Sequence, residues 1–287
     1  MNKTSIFLLF YLLFFLNVFS QNRQISVHKD YYVPKTSFKE KYKPIDSIGY
    51  LIRDGDTLIK VPTLIQPKGT PVPYEYKDST FLEYYKKIAF NPIHKDSSDT
   101  KPMKYWKAPI KIYFSETINN KVIRDFMKFT KLLDSKIDSL SISRVKELNE
   151  ANYIIYDDNS FQYEAKLNSD RSDYWIYWNN KNQINKSFIR IVNQREFSNK
   201  LAAEKMKDLF FSTLGWFRKT YELGCDSYFS NCYSENKYLS EFDEALLKYH
   251  YSYGICKGTT RTFFEEQHRT SKKILENHHT KILIYQN

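Results

Sequence analysis

From Trp106 onward the chain switches between two hydrophobic periods, and the switches mark its elements. Pro109-Ile-Lys-Ile-Tyr-Phe114 alternates apolar and polar positions, as a half-buried strand does. Val122, Ile123, Phe126, Phe129 and Leu133 recur at helical spacing and predict an amphipathic helix over 119–138, with Lys128, Lys131 and Lys136 on its wet face. Strands are predicted at Asn152–Tyr156, Tyr174–Trp178 and Phe188–Val192. A helix over 198–214 follows, its stripe formed by Ala202, Met206, Leu209, Phe210 and Thr213. Ser240 to Asp243 reads as a capping box for a helix over 241–250, and Gly258 opens a last helix near 260–277.

The region before Trp106 has a different texture. All nine prolines fall between Pro34 and Pro109, which predicts extended or irregular chain over 21–103. Two elements stand out. Tyr50–Arg53 and Thr57–Lys60 flank Asp54-Gly55, a pair suited to the positive-φ turn of a hairpin near 48–61. Phe81–Phe90 reads as a short helix, and Pro67–Pro73 as a linker. The expected organisation is a Pro-rich extension over 21–103 and a mixed α+β domain over 104–287. There is no internal repeat.

The first 20 residues read as a cleavable signal peptide. Lys3 supplies the positive end, Ile6–Leu16 the apolar stretch, and Val18-Phe19-Ser20 a cleavage site before Gln21. A secreted or periplasmic location is therefore expected. No later stretch is long and apolar enough to span a membrane. The formal charge of +11 is spread along the chain, with cations never more than two in a row, unlike a nucleic-acid stripe. For an exported protein such a surface favours an envelope protein or an anionic envelope polymer as partner. Export also permits disulfides: Cys225 and Cys232 are close enough to staple one loop, and Cys256 is an alternative partner for either. No Gly lies between Gly69 and Gly215, so no phosphate-cradling loop is expected there.

Candidate chemistry concentrates at Asp208-Leu-Phe-Phe-Ser-Thr-Leu-Gly-Trp-Phe-Arg218. In a zincin helix, two His at i and i+4 hold zinc and a Glu after the first activates water. A Gly three residues past the second His ends the helix, and a third ligand follows in many families. With Gly215 as that Gly, the first ligand falls on Asp208, the base on Leu209, the second ligand on Ser212 and the third on Arg218. Downstream come Asp226-Ser-Tyr-Phe-Ser230, Leu239-Ser-Glu-Phe-Asp243 and Gly254-Ile-Cys-Lys-Gly258-Thr. This series, over roughly 104–277, resembles a family of secreted bacterial zincin-like proteins of unknown function, described as peptidase-like. The resemblance implies a mixed sheet with a backing helix, an active-site-like helix and C-terminal helices.

The family's His and Glu are Asp208 and Leu209 here, so the motif is degenerate. The expectation is a domain that has lost zinc peptidase chemistry and works in binding or envelope architecture. No metal or other cofactor is expected; zinc enters only with rearranged ligands, built from Asp208 with His250 or His268, in an alternative secreted metallopeptidase. A second alternative is a carbohydrate- or surface-binding module on the aromatic strand, with Trp175 and Tyr177 on one face and Tyr174 and Trp178 on the other.

Overall fold

The computed structural model describes residues 31–34, 50–53, 56–61, 70–91, 100–193, 198–278 and 282–286. The signal-peptide reading and His28 and His94 lie outside the described residues. The chain forms two compact units, Met1–Pro67 and Lys68–Asn287.

The first unit is an antiparallel sheet of β1 (Tyr31–Pro34), β2 (Tyr50–Arg53) and β3 (Asp56–Val61), in the order β1–β3–β2. β2 and β3 are the expected hairpin. Arg53 pairs with Asp56, leaving two residues for the turn, the length that primed hairpin turns use. Asp54 and Gly55 themselves lie outside the described residues. β1 was not anticipated; among the described residues it stands at the edge of the sheet, a position that tolerates Pro34.

The second unit opens inside the segment expected to be a linker. Thr70–Pro73 is β4, paired antiparallel with β11 (Leu283–Gln286). Both strands of a two-stranded ribbon are edges, which tolerates Pro71 and Pro73. Glu75 N–H donates to Gly254 O at 2.9 Å, fixing the ribbon to the C-terminal half. That approach needs Gly254, because a Cβ there would sit 2.6 Å from Pro73 O. The helix foreseen at 81–90 is α1 (Ser79–Ala89), capped by Asp78. Its Leu82, Tyr85 and Ile88 join the main core. The compact unit thus reaches back to Lys68, ahead of the composition change near 103.

A six-stranded mixed sheet forms the centre. It comprises β5 (Tyr105–Trp106), β6 (Ile110–Phe114), β7 (Ile142–Arg144), β8 (Tyr153–Asp157), β9 (Asp173–Trp178) and β10 (Gln183–Ile191). β7, β6, β8 and β10 are neighbours in that order and run parallel. β9 lies antiparallel on β10 from Ile184 to Arg190. β10 has only two edges, so β5, paired at Gln183 and Ile184, shares the other with β8. Burial follows position: all five residues of the central β8 are buried, β6 alternates, and β9 buries only Ile176.

α2 (Asn120–Lys136) starts at Asn119, whose side chain accepts from Lys121 N–H, and buries the predicted stripe. α3 (Asn199–Thr213) starts at Ser198, which caps Leu201 N–H. The two helices pack together and on the sheet through aromatic edges. Phe210 meets Phe126 at 5.2 Å and Tyr153 at 5.1 Å between ring centres. α4 (Glu241–Tyr251) begins with the capping box foreseen at Ser240 and Asp243. α5 (Arg261–His278) closes the helical part. Among the described residues, five α-helices and a mostly parallel sheet with an antiparallel edge make a mixed architecture consistent with the α+β expectation. No helix among the described residues is long and apolar enough to cross a membrane.

Candidate functional site

The cleft-facing side of α3 carries the chemistry. Asp208, Leu209, Ser212 and Arg218 all line one cleft of about 730 Å³, together with Tyr174 from β9. Within it Leu209 belongs mostly to the core, and Ser212 Oγ donates back to Asp208 O at 3.2 Å. Arg218 extends outward; its backbone N–H donates to Ile88 O at 2.9 Å.

Asp208 is held by lysines. Lys219 Nζ donates to Oδ2 in a close ion pair. Lys237 Nζ lies 3.5 Å from Oδ1 but makes its hydrogen bonds elsewhere, to Ser227 O at 2.9 Å and Ser230 O at 2.8 Å. Oδ1 is therefore buried without a hydrogen bond of its own. Burial lowers the Lys219 pKa, and the Asp208 charge partly restores it. Glu204, one turn earlier, pairs with Lys207 at 2.7 Å.

The two lysines come from one loop, and its anchoring explains how. A Cys225–Cys232 disulfide closes the loop, leaving Cys256 as a free thiol that accepts from Gln267 Nε2 at 3.1 Å. Ser227 Oγ donates to Asp243 Oδ1 at 2.5 Å, and Tyr228 N–H to Oδ2 at 3.1 Å. Asp243 also serves the α4 cap, and burial raises its pKa against these bonds. The Asp226–Ser230 and Leu239–Asp243 segments are thus one unit joined by a buried carboxylate.

The end of α3 differs from expectation. Gly215 is not the left-handed residue; Trp216 is, with φ at 53°. Phe217 N–H reaches back to Ser212 O at 2.9 Å across that turn. Gly215 answers a packing need instead, since a Cβ there would lie 2.2 Å from the Phe217 ring. A bulky residue at positive φ is strained, and here its ring is stacked on Trp178 at 5.4 Å. Lys104 Nζ stands 4.7 Å from the Trp178 ring centre and Lys101 Nζ 5.5 Å from that of Trp216. Burial, helped by the charge of Lys101, takes Lys104 down to about 8.

The aromatic strand divides as its alternation predicts. Tyr174 faces the cleft and Trp178 stacks on Trp216. Trp175 and Tyr177 share the other face, where Tyr177 Oη donates to Glu164 Oε2 at 2.8 Å.

No His lines the cleft among the described residues. The prospect that His250 or His268 turns toward Asp208 is not met. His250 is buried between Tyr85 Oη at 3.1 Å and Lys104 O at 2.9 Å, and burial drives its pKa down to about 3. His268 bonds Tyr74 Oη at 2.7 Å and stacks on Tyr76. Among the described residues no group of three or more His, Cys, Asp or Glu is placed to hold a metal. Lys219 and Lys237 were missed in the sequence, because they lie 11 and 29 residues beyond Asp208 with no local pattern tying them to it. A scan against protein-family models finds no match to the chain, and a search of curated proteins finds none either.

Proposed function

We propose that this is an exported zincin-like domain that has exchanged metal chemistry for binding. One observation carries the reading: the carboxylate at the first ligand position, Asp208, is engaged by the ammonium groups of Lys219 and Lys237. A zinc ion needs electron-pair donors, and protonated lysines offer none while repelling a dication. The residues present do not fit zinc, and no catalytic step is assigned to it. Two features support the zincin side. A backing helix and an active-site-like helix pack together beside a mostly parallel sheet, and the antiparallel edge strand β9 borders the cleft through Tyr174. Export is supported by the apolar segment after Lys3 and by the Cys225–Cys232 bridge. An envelope protein or anionic polymer is the partner class we favour.

The test is metal analysis of the purified chain with a peptidase assay on casein and a peptide library. The expected result is substoichiometric zinc and no cleavage. Stoichiometric zinc, with hydrolysis lost on chelation and restored on zinc return, would sink the reading in favour of a metallopeptidase with rearranged ligands.

A further inference from the structure

The cleft beside α3 has an uneven charge balance. Its lining carries six cationic side chains, Lys86, Lys87, Lys205, Arg218, Lys219 and Arg261, against the two acids Asp208 and Glu222. Four of the six are already matched. Lys86 lies 2.6 Å from Glu83 and 3.1 Å from Glu265, and Lys87 lies 2.7 Å from Glu222. Lys219 holds Asp208, and Arg261 lies 3.0 Å from Glu265. Lys205 and Arg218 have no acidic partner among the described residues. They sit at the two ends of the α3 segment that faces the cleft, one turn before Asp208 and just past the helix end.

The rest of the lining is of a particular kind. Asn91, Thr100, Tyr174, Thr220, Tyr221 and Asn231 supply neutral donors and acceptors. The apolar members offer little surface: Phe90, Leu209 and Phe217 are 2%, 6% and 4% exposed. Among the described residues of the lining, these buried side chains form no apolar pocket for a peptide side chain. Tyr221 is 80% exposed and presents a ring face. The neighbouring residue of Thr100, Lys101, stands over the Trp216 ring of the tryptophan stack. Hydroxyl and amide groups, open aromatic rings and two cations with no acidic partner among the described residues are the components with which proteins hold acidic sugars.

We propose that this cleft binds a carboxylate-bearing glycan, with Lys205 and Arg218 receiving its anionic groups. The inference rests on reading the cleft as a binding site, but it is measured separately from the zinc and peptidase assays. Calorimetric titration of the full chain with a short oligogalacturonate should show saturable binding, and a neutral galacto-oligosaccharide should show none. Lys205→Ala and Arg218→Ala should each weaken binding on the order of tenfold, the effect of one charge-assisted hydrogen bond. Lys128→Ala with Lys131→Ala, two exposed lysines on α2, should leave it unchanged. Equal loss in that control would mean unspecific charge attraction and overturn the proposal. So would tighter binding of a poly-glutamate peptide, which would mark an acidic polypeptide as the ligand. Full competition by inorganic phosphate at similar affinity would reduce the site to a simple anion trap, and no binding of the acidic glycan would end the idea outright.

Discussion

The two faces of α3 obey different rules. The inner face is apolar and local in logic: Met206, Phe210 and Thr213 recur at helical spacing and are buried, Phe210 against Phe126 of α2 and Tyr153 of the sheet, Thr213 against the Tyr153 hydroxyl. The cleft face is polar, and its partners arrive from a distant loop. One helix thus carries a fold that its own sequence announces and a site that it does not. Apolar periodicity encodes burial, because every residue on a stripe shares one environment. An ion pair across a cleft encodes nothing locally; it depends on where a later segment is pinned.

Breaking the inner face should have the largest effect. Phe210→Ala removes a fully buried ring between Phe126 and Tyr153 and should cost about 3–5 kcal/mol in urea unfolding. A cost below about 1 kcal/mol would mean the two helices do not share one core there.

The contrast between buried and wet chemistry is sharpened by pH. His250 is enclosed by Tyr85, the Lys104 carbonyl, Phe217 and Tyr251, with the Lys257 charge nearby. Its folded pKa is about 3 against 6.5 for a free imidazole. Between those values the unfolded chain binds one more proton, so stability falls as pH falls through that window. The loss should reach a few kcal/mol, and His250→Gln should flatten this limb of the stability profile. An unchanged acid limb would place the proton uptake elsewhere.

The cleft face should give the smallest effects. Asp208→Asn leaves Lys219 and Lys237 without their counter-charge, and Lys219→Met leaves Lys237 alone with Asp208. Each single change should cost about 1–3 kcal/mol, and the double variant less than their sum. Strict additivity would remove the coupling on which the metal-replacement reading stands.

Legibility in the sequence followed element length and pattern. α2, α3, α4 and the β2–β3 hairpin were readable because each carries several turns of periodicity, a cap or an Asp-Gly turn. β5 and β7, of two and three residues, are too short to show a period. β10 begins earlier than predicted, at Gln183, because a register shift between Ile184 and Lys186 breaks its alternation. β4 was hidden by its prolines, whose tolerance depends on an edge position that only the partner strand defines. At the site, the helix and its cleft-facing residues were placed by spacing. The lysines were not, and the helix end was assigned to Gly215 because glycine is the usual left-handed residue, whereas Trp216 adopts that conformation with its ring stacked on Trp178.

The β4–β11 ribbon sets the order in which this unit can be completed. Thr70 pairs with Gln286, so the earlier strand of the ribbon waits for the later one. More than 200 residues separate them, and closing so long a loop is entropically dear and slow. A ribosome-bound chain cannot seal the ribbon until Leu283–Gln286 has left the exit tunnel. Until then Thr70–Pro73 stands without its partner strand, so the ribbon marks a late step in the assembly of this unit.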